Sequence, residues 1–124
     1  MVDYTLVYKL LHLLGMVLLL LAFGGLILHA IVGGSKRDNP FRKPAIITHG
    51  LGMFLVLLGG FGMLARLGIH WPWPLWVYGK VVIWIVLGGL PALVYKSPAT
   101  AKKLWIIIPL LAFIAACLAV IKPA

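Results

Sequence analysis

Acidic residues are almost absent from this sequence. The chain of 124 residues has only Asp3 and Asp38, against eleven lysines and arginines, which gives a formal net charge of +9. No carboxylate pair and no Ser-His-Asp triad is therefore expected in the folded core, which argues against hydrolytic chemistry. Cysteine is nearly as rare. The single Cys117 cannot form an intramolecular disulfide, and no C-x-x-C-H segment is present for covalent attachment of haem.

Charged residues are also missing from long stretches of the chain, and these stretches indicate a membrane protein. Each stretch is close to the ~20 residues that a helix needs to cross the hydrocarbon core of a bilayer. With 64% hydrophobic residues, the chain is predicted to be all-α, an integral membrane antiparallel four-helix bundle. Its single domain, 1–124, is expected to contain transmembrane helices at 4–32, 45–67, 75–95 and 101–121.

Lysine and arginine are distributed unequally between the two sides of the predicted bundle. The segments 33–44 and 96–103 carry seven of them, and the opposite side carries three, with Lys80 slightly inside the third helix. Because basic loops stay in the cytoplasm, both termini are expected on the outer, periplasmic side of a bacterial inner membrane. The basic loops lie beside anionic lipid, so membrane lipid is the expected partner and nucleic acid is not.

The four histidines fall into two pairs when they are placed by predicted depth. His12 and His29 are 17 residues apart on the first helix, which is about 25 Å at ~1.5 Å per residue and puts them near opposite faces of the membrane. The second helix runs back, so His49 is expected near His29 and His70 near His12. On both helices the histidines share a face with small residues, as helix contacts in lipid require. These residues include Gly15, Ala22, Gly52 and Gly60.

Imidazoles beside small residues are also what a haem b between helices requires. The predicted iron ligands are His12, His29 and His49, and the wider set of cofactor-binding candidates adds His70 and Lys80. Histidine pairs at both depths would hold two haems in a transmembrane electron path, whereas one haem would serve as a one-sided relay or sensor. The alternative is that each histidine bonds a backbone carbonyl and that the Lys80 ammonium reaches the headgroups.

Two segments resemble a known family. The segment YKLLHLLGM in the first helix and WPWPLWVYGKVVIWIVLGG in the third, with a short basic loop and the ending LAVIKP, resemble the SirB-type family of small four-helix membrane proteins. The likeness covers most of the chain and implies the four-helix fold without an assigned activity. The histidine and the lysine are also similar to those of HemJ-type protoporphyrinogen oxidases, which hold haem b. That likeness implies roles for His12 and Lys80.

The sequence thus favours a haem-b-binding polytopic membrane protein that transfers electrons, or a subunit of a larger membrane redox complex, with a quinone or another redox partner. A cofactor-free structural or assembly subunit, whose glycine-rich faces pack against partner helices, is one alternative. A HemJ-like porphyrinogen oxidoreductase is the other, and only in that case is the isolated chain expected to be an enzyme. The many small-residue faces favour a homo-oligomer or docking in a larger assembly.

Overall fold

Four α-helices account for most of the chain in the structure, a computed structural model that describes residues 3–122. The helices are α1 (Tyr4–Ile31), α2 (Arg42–Arg66), α3 (Leu75–Gly89) and α4 (Pro98–Ile121), and a 3₁₀ turn at Leu90–Leu93 follows α3. All four spans are long and apolar enough to cross a membrane, α3 with its 3₁₀ turn included. The predicted all-α, four-helix membrane fold is confirmed. The predicted domain also includes residues 1–2 and 123–124, which lie outside the described residues.

Local capping and proline chemistry explain where the helices begin and end. The Asp3 side chain accepts a hydrogen bond from the Leu6 N–H at 3.3 Å and caps α1. Ser97 caps α4 in the same way through the Thr100 N–H, with Pro98 in the first turn. Helix α4 therefore begins three residues earlier than the predicted 101. Pro91 has no N–H, and α3 accordingly ends at Gly89 and continues as the 3₁₀ turn.

Helix α1 lies at the centre of the packing. It packs most closely on α2 and also contacts α4, which in turn packs on α3. The side chains that α1 buries, together with residues of α3 and α4, form a continuous apolar core. Its fully buried large members include Leu19, Phe23, Leu26, Ile27 and Val94.

Glycines allow the close contact between α1 and α2. A Cβ atom at Gly15 would lie 2.7 Å from the Val56 backbone nitrogen, and one at Gly52 would lie 2.8 Å from the Gly15 carbonyl oxygen. A Cβ at Gly59 would lie 2.6 Å from the His12 nitrogen. These backbones therefore touch where no side chain intervenes, as small-residue interfaces in membranes do.

The short loops give the bundle two chemically different ends. The basic end holds the α1–α2 loop, residues 32–41, and the α3–α4 connection, residues 94–97. The terminal end holds the 67–74 loop, Asp3 and Lys122. In that loop Trp71 and Trp73 stack edge to face at a centroid distance of 5.0 Å, and both contact Tyr78. Such aromatic clusters are typical of the membrane–water interface.

Candidate functional site

His12 is a half-buried residue of α1 near the terminal end. Its Nδ1 lies 2.8 Å from the Val56 carbonyl oxygen of α2. A carbonyl oxygen only accepts, so Nδ1 carries the proton and donates this hydrogen bond. In the neutral imidazole the lone pair is then on Nε2, the atom that a ligating histidine commonly uses.

The surroundings of His12 combine small residues with one cation. A Cβ at Gly60 would lie 3.5 Å from the His12 ring, at ordinary van der Waals distance, so Gly60 packs beside the imidazole. The Lys80 side chain of α3 is near enough to His12 to interact with it electrostatically. The two residues that the HemJ-type resemblance singles out therefore both lie toward the terminal end of the bundle, on α1 and α3.

Lys80 is a half-buried cation in a membrane-spanning helix. The ion pair found within residues 3–122 joins His29 with Asp38, so the Lys80 ammonium has no carboxylate partner in that part of the chain. Lys122 is within electrostatic range of Lys80, and its Nζ lies 5.6 Å from the centre of the Trp76 ring. Positive charge thus accumulates at the terminal end of the bundle.

His49 has a structural partner that the sequence pattern did not reveal. Its side chain is buried, and Nε2 lies 3.1 Å from the Leu87 carbonyl oxygen of α3. In an α-helix this carbonyl would accept from the N–H four residues later, but that residue is Pro91. His49 therefore supplies the hydrogen bond that Pro91 cannot donate. The edge of its ring also packs on Phe23 at 5.2 Å.

Trp84 makes a second side-chain link between α2 and α3. Its Nε1–H donates to the Met53 carbonyl oxygen at 3.0 Å. Its position deep in the third helix is thus explained by a polar contact as well as by packing. Together with His49, Trp84 joins two helices whose backbones have few close approaches.

His29 organises the loop at the basic end. Its Nε2–H is shared between the Asp38 carboxylate, at 2.6 Å, and the Ser35 carbonyl oxygen, at 3.1 Å. The Ser35 N–H also donates to Asp38, at 2.7 Å. The hydrogen bond from His29, followed by that from Ser35, lowers the pKa of Asp38 below its ordinary value of 3.8. The ring of His29 meets Tyr95 edge to face at 6.2 Å.

His70 lies in the exposed 67–74 loop. It has none of the described hydrogen bonds that hold the other three histidines. His12, His29 and His49 each have a separate hydrogen-bond partner, namely Val56, Asp38 and Leu87. The predicted pairing of His12 with His70, and of His29 with His49, stays a prediction.

The hydrogen bonds distinguish His12 from His29 and His49, the other two predicted iron ligands. The Nε2 atoms of His29 and His49 are engaged by Asp38 and Leu87, whereas Val56 binds the Nδ1 of His12 and leaves Nε2 for a metal. Gly15 was expected to give clearance to a macrocycle or to a helix, and it contacts α2. Within residues 3–122, no three His, Cys, Asp or Glu side chains form a metal-binding group.

A scan against models of known protein families, a search of curated proteins and a search of solved structures each found no match. The function therefore rests on the chemistry of the residues themselves.

Proposed function

We propose that the protein binds one haem b near the terminal end of its bundle, with His12 as a ligand of the iron, and serves in membrane electron transfer. The hydrogen bond from His12 Nδ1 to the Val56 carbonyl oxygen carries this proposal. Ligating histidines almost always donate their second ring N–H to a carbonyl or carboxylate, which fixes the tautomer and makes the ligating nitrogen more basic. The Val56 carbonyl oxygen is the acceptor of this second hydrogen bond from His12.

Lys80 supports the same site through its charge. An unpaired ammonium within a membrane span is costly, and such groups usually face a functional partner. A haem b carries two propionates, and a carboxylate beside Lys80 would form the charge-assisted hydrogen bond that this residue lacks within residues 3–122. Lys80 would thus help to hold the haem through one of its propionates.

The chain's own residues would hold the group and set its electrostatic surroundings. When bound, the haem supplies an iron that accepts and releases one electron. His12 would bind the iron, Val56 would fix the imidazole, and Lys80 would favour the reduced, more negative state by its positive charge. The distribution of lysine and arginine favours placement of the terminal end on the periplasmic side of a bacterial inner membrane, where a quinone or a redox subunit would exchange the electron.

Absorption spectra of the purified protein, expressed in haem-replete cells, test the proposal. The wild type is expected to show a Soret band and reduced α and β bands, and His12→Gly is expected to lose them and to regain them with added imidazole. His70→Ala is the matched control and should keep the spectrum. A folded, colourless wild type, or a His12→Gly variant with the wild-type spectrum in the absence of imidazole, would contradict the proposal.

Porphyrinogen oxidation is a second candidate, because the HemJ-type resemblance implies roles for His12 and Lys80, and Lys80 is within electrostatic range of His12. Hydrogen removed from the porphyrinogen would leave as protons and electrons, and the electrons would reduce a quinone. The assay measures porphyrin fluorescence after protoporphyrinogen and a quinone are added under nitrogen. Lys80→Gln is expected to reduce the rate and Lys80→Arg to preserve part of it. A wild type without activity above the non-enzymatic rate would exclude this candidate.

A cofactor-free assembly subunit is less well supported. This alternative depends on glycine-rich faces that pack against helices of a partner protein. Gly15, Gly52 and Gly59 instead lie in the contact between α1 and α2 of the chain itself. The absorption spectrum separates this role from the proposed one.

A further inference from the structure

A cleft opens at the basic end between α1, the start of α2 and the 3₁₀ turn after α3. It has a volume of about 150 Å³. It adjoins a wider, open basin of about 560 Å³ around the α1–α2 loop, and the two share Lys36 and Arg42. The cleft is lined by Leu26, Lys36, Arg42, Ile46, Pro91, Ala92 and Tyr95.

The lining of the cleft changes from apolar to basic along the membrane normal. Leu26 and Ile46 lie within the helical spans of α1 and α2, and Pro91 and Ala92 belong to the 3₁₀ turn. Lys36 lies in the loop and Arg42 is the first residue of α2. The apolar part therefore lies at the depth of lipid chains and the basic part at the depth of headgroups.

The cations around the cleft have no counter-ion within the described chain. The segment 36–43 contains four basic residues and one acid, Asp38. That carboxylate is already bound by His29 and by the Ser35 N–H. The ion pair found within residues 3–122 joins His29 and Asp38. In that part of the chain, Lys36 and Arg42 therefore have no carboxylate partner. An external anion is the natural complement.

Local structure holds the walls of the cleft in place. Pro91 ends α3 at Gly89 and starts the tighter turn that forms one wall, and the small Ala92 leaves space beside it. The Asn39 amide donates to the Tyr95 hydroxyl at 2.8 Å, which ties the α1–α2 loop to the opposite wall. The cleft is thus bounded on both sides by residues with defined partners.

We propose that this cleft binds an anionic phospholipid, with its phosphate between Lys36 and Arg42 and the beginning of an acyl chain against Ile46 and Ala92. A guanidinium binds two phosphate oxygens at once, and an ammonium adds a mobile point charge. Basic pockets between membrane helices on the cytoplasmic side are known to bind such headgroups. The proposal is independent of the haem site.

Native mass spectrometry of the full chain, purified in detergent with dioleoyl phosphatidylglycerol or dioleoyl phosphatidylcholine, tests the proposal. Preferential retention of phosphatidylglycerol is expected. Lys36→Gln/Arg42→Gln is expected to weaken that binding about tenfold or more, at about 1 kcal/mol per basic residue. Lys102→Gln/Lys103→Gln removes the same charge from exposed positions of α4 that do not line the cleft, and its affinity is expected to change less than about twofold.

Two further variants separate the cleft from bulk charge and from misfolding. Ala92→Phe fills the apolar part and keeps every charge, so phosphatidylglycerol binding should fall while helicity by circular dichroism is retained. Lys36→Arg/Arg42→Lys keeps the charges and should keep most of the binding. Equal losses in the two double glutamine variants, unchanged binding in Ala92→Phe, or displacement of lipid by inorganic phosphate at constant ionic strength would each overturn the lipid proposal.

Discussion

At the scale of single residues, the histidines differ in which ring nitrogen is engaged. His49 and His29 use Nε2, whereas His12 uses Nδ1. This difference favours His12 as the metal ligand. Its hydrogen bond to Val56 uses Nδ1, so the Nε2 lone pair is not engaged by that bond, whereas the Nε2 atoms of His29 and His49 are hydrogen-bonded. The sequence identified all four histidines but could not assign these roles, since each partner atom lies on another helix or in a loop.

Removal of His49 is expected to destabilise the bundle through the Leu87 carbonyl. His49→Ala leaves this carbonyl without a donor in an apolar setting, so the free energy of unfolding should fall by about 1 to 2 kcal/mol. In a Pro91→Ala background residue 91 regains an N–H, and the cost of His49→Ala should be smaller. Unfolding titrations of the four proteins of this cycle in mixed micelles measure the coupling. An equal cost of His49→Ala in both backgrounds would contradict the proposed link.

The His29–Asp38 pair gives the basic loop a dependence on acid pH. Hydrogen bonds from His29 and Ser35 hold the pKa of Asp38 below 3.8. The ionised form is therefore favoured by folding, and its contribution is complete above the unfolded pKa and disappears as the pH falls through the lower folded pKa.

A carbon NMR titration of the Asp38 carboxyl in micelles measures this effect. The midpoint is expected below 3.8 in the wild type. It should rise in His29→Gln, which removes the imidazole hydrogen bond that contributes most to lowering the pKa of Asp38. His70→Gln, at an exposed loop position, is the control and should leave the midpoint unchanged. A His29→Gln midpoint equal to that of the wild type would refute the assigned cause.

At the scale of elements, the helix pair α1–α2 is set by backbone contact and the pair α2–α3 by side-chain bridges. Periodicity predicted the glycine faces because spacing along one helix is a local property. It placed Gly15 on a helix-contact face, and Gly15 does contact α2, but it did not single out Gly59, which meets the α1 backbone, or indicate that Gly25 faces open space. Pro91, in contrast, is a local signal, and it ends α3 at Gly89, six residues before the predicted end at 95.

Alanine substitutions along α1 and α2 are expected to separate these two kinds of glycine. Gly59→Ala places a Cβ 2.6 Å from the His12 nitrogen and the Tyr8 oxygen, so the helices must move apart at a cost of about 1–3 kcal/mol. Gly25→Ala meets nothing within 4 Å and should be neutral or stabilising by up to about 1 kcal/mol. Unfolding in micelles measures both, and similar values for the two variants would argue against the tight α1–α2 contact.

At the scale of the whole molecule, the outward surface is apolar along all four helices. Large aliphatic side chains such as Leu21 and Val120 are 67% and 82% exposed, which is tolerated where the surrounding medium is hydrocarbon. The charges are confined mainly to the two ends, and the basic end carries more of them. This asymmetry favours one orientation in the membrane.

The orientation is expected to appear in cysteine labelling of intact spheroplasts. In a Cys117→Ala background, Leu67→Cys at the terminal end should react with a membrane-impermeant maleimide. Ala99→Cys at the basic end should react only after permeabilisation, because basic segments stay in the cytoplasm. Both positions are exposed, so access to reagent depends on the side of the membrane. The reverse labelling pattern would invert the proposed topology.

The sequence by itself determined the four spans, their approximate ends and the unequal charge of the two ends, because hydrophobic length, proline positions and charge are properties of short segments. Only the tertiary structure decided that His49 replaces the missing N–H of Pro91, that His12 donates to the Val56 carbonyl, and that the Lys36–Arg42 cleft is open. Each of these depends on the relative position of helices, and no local segment of the chain specifies it.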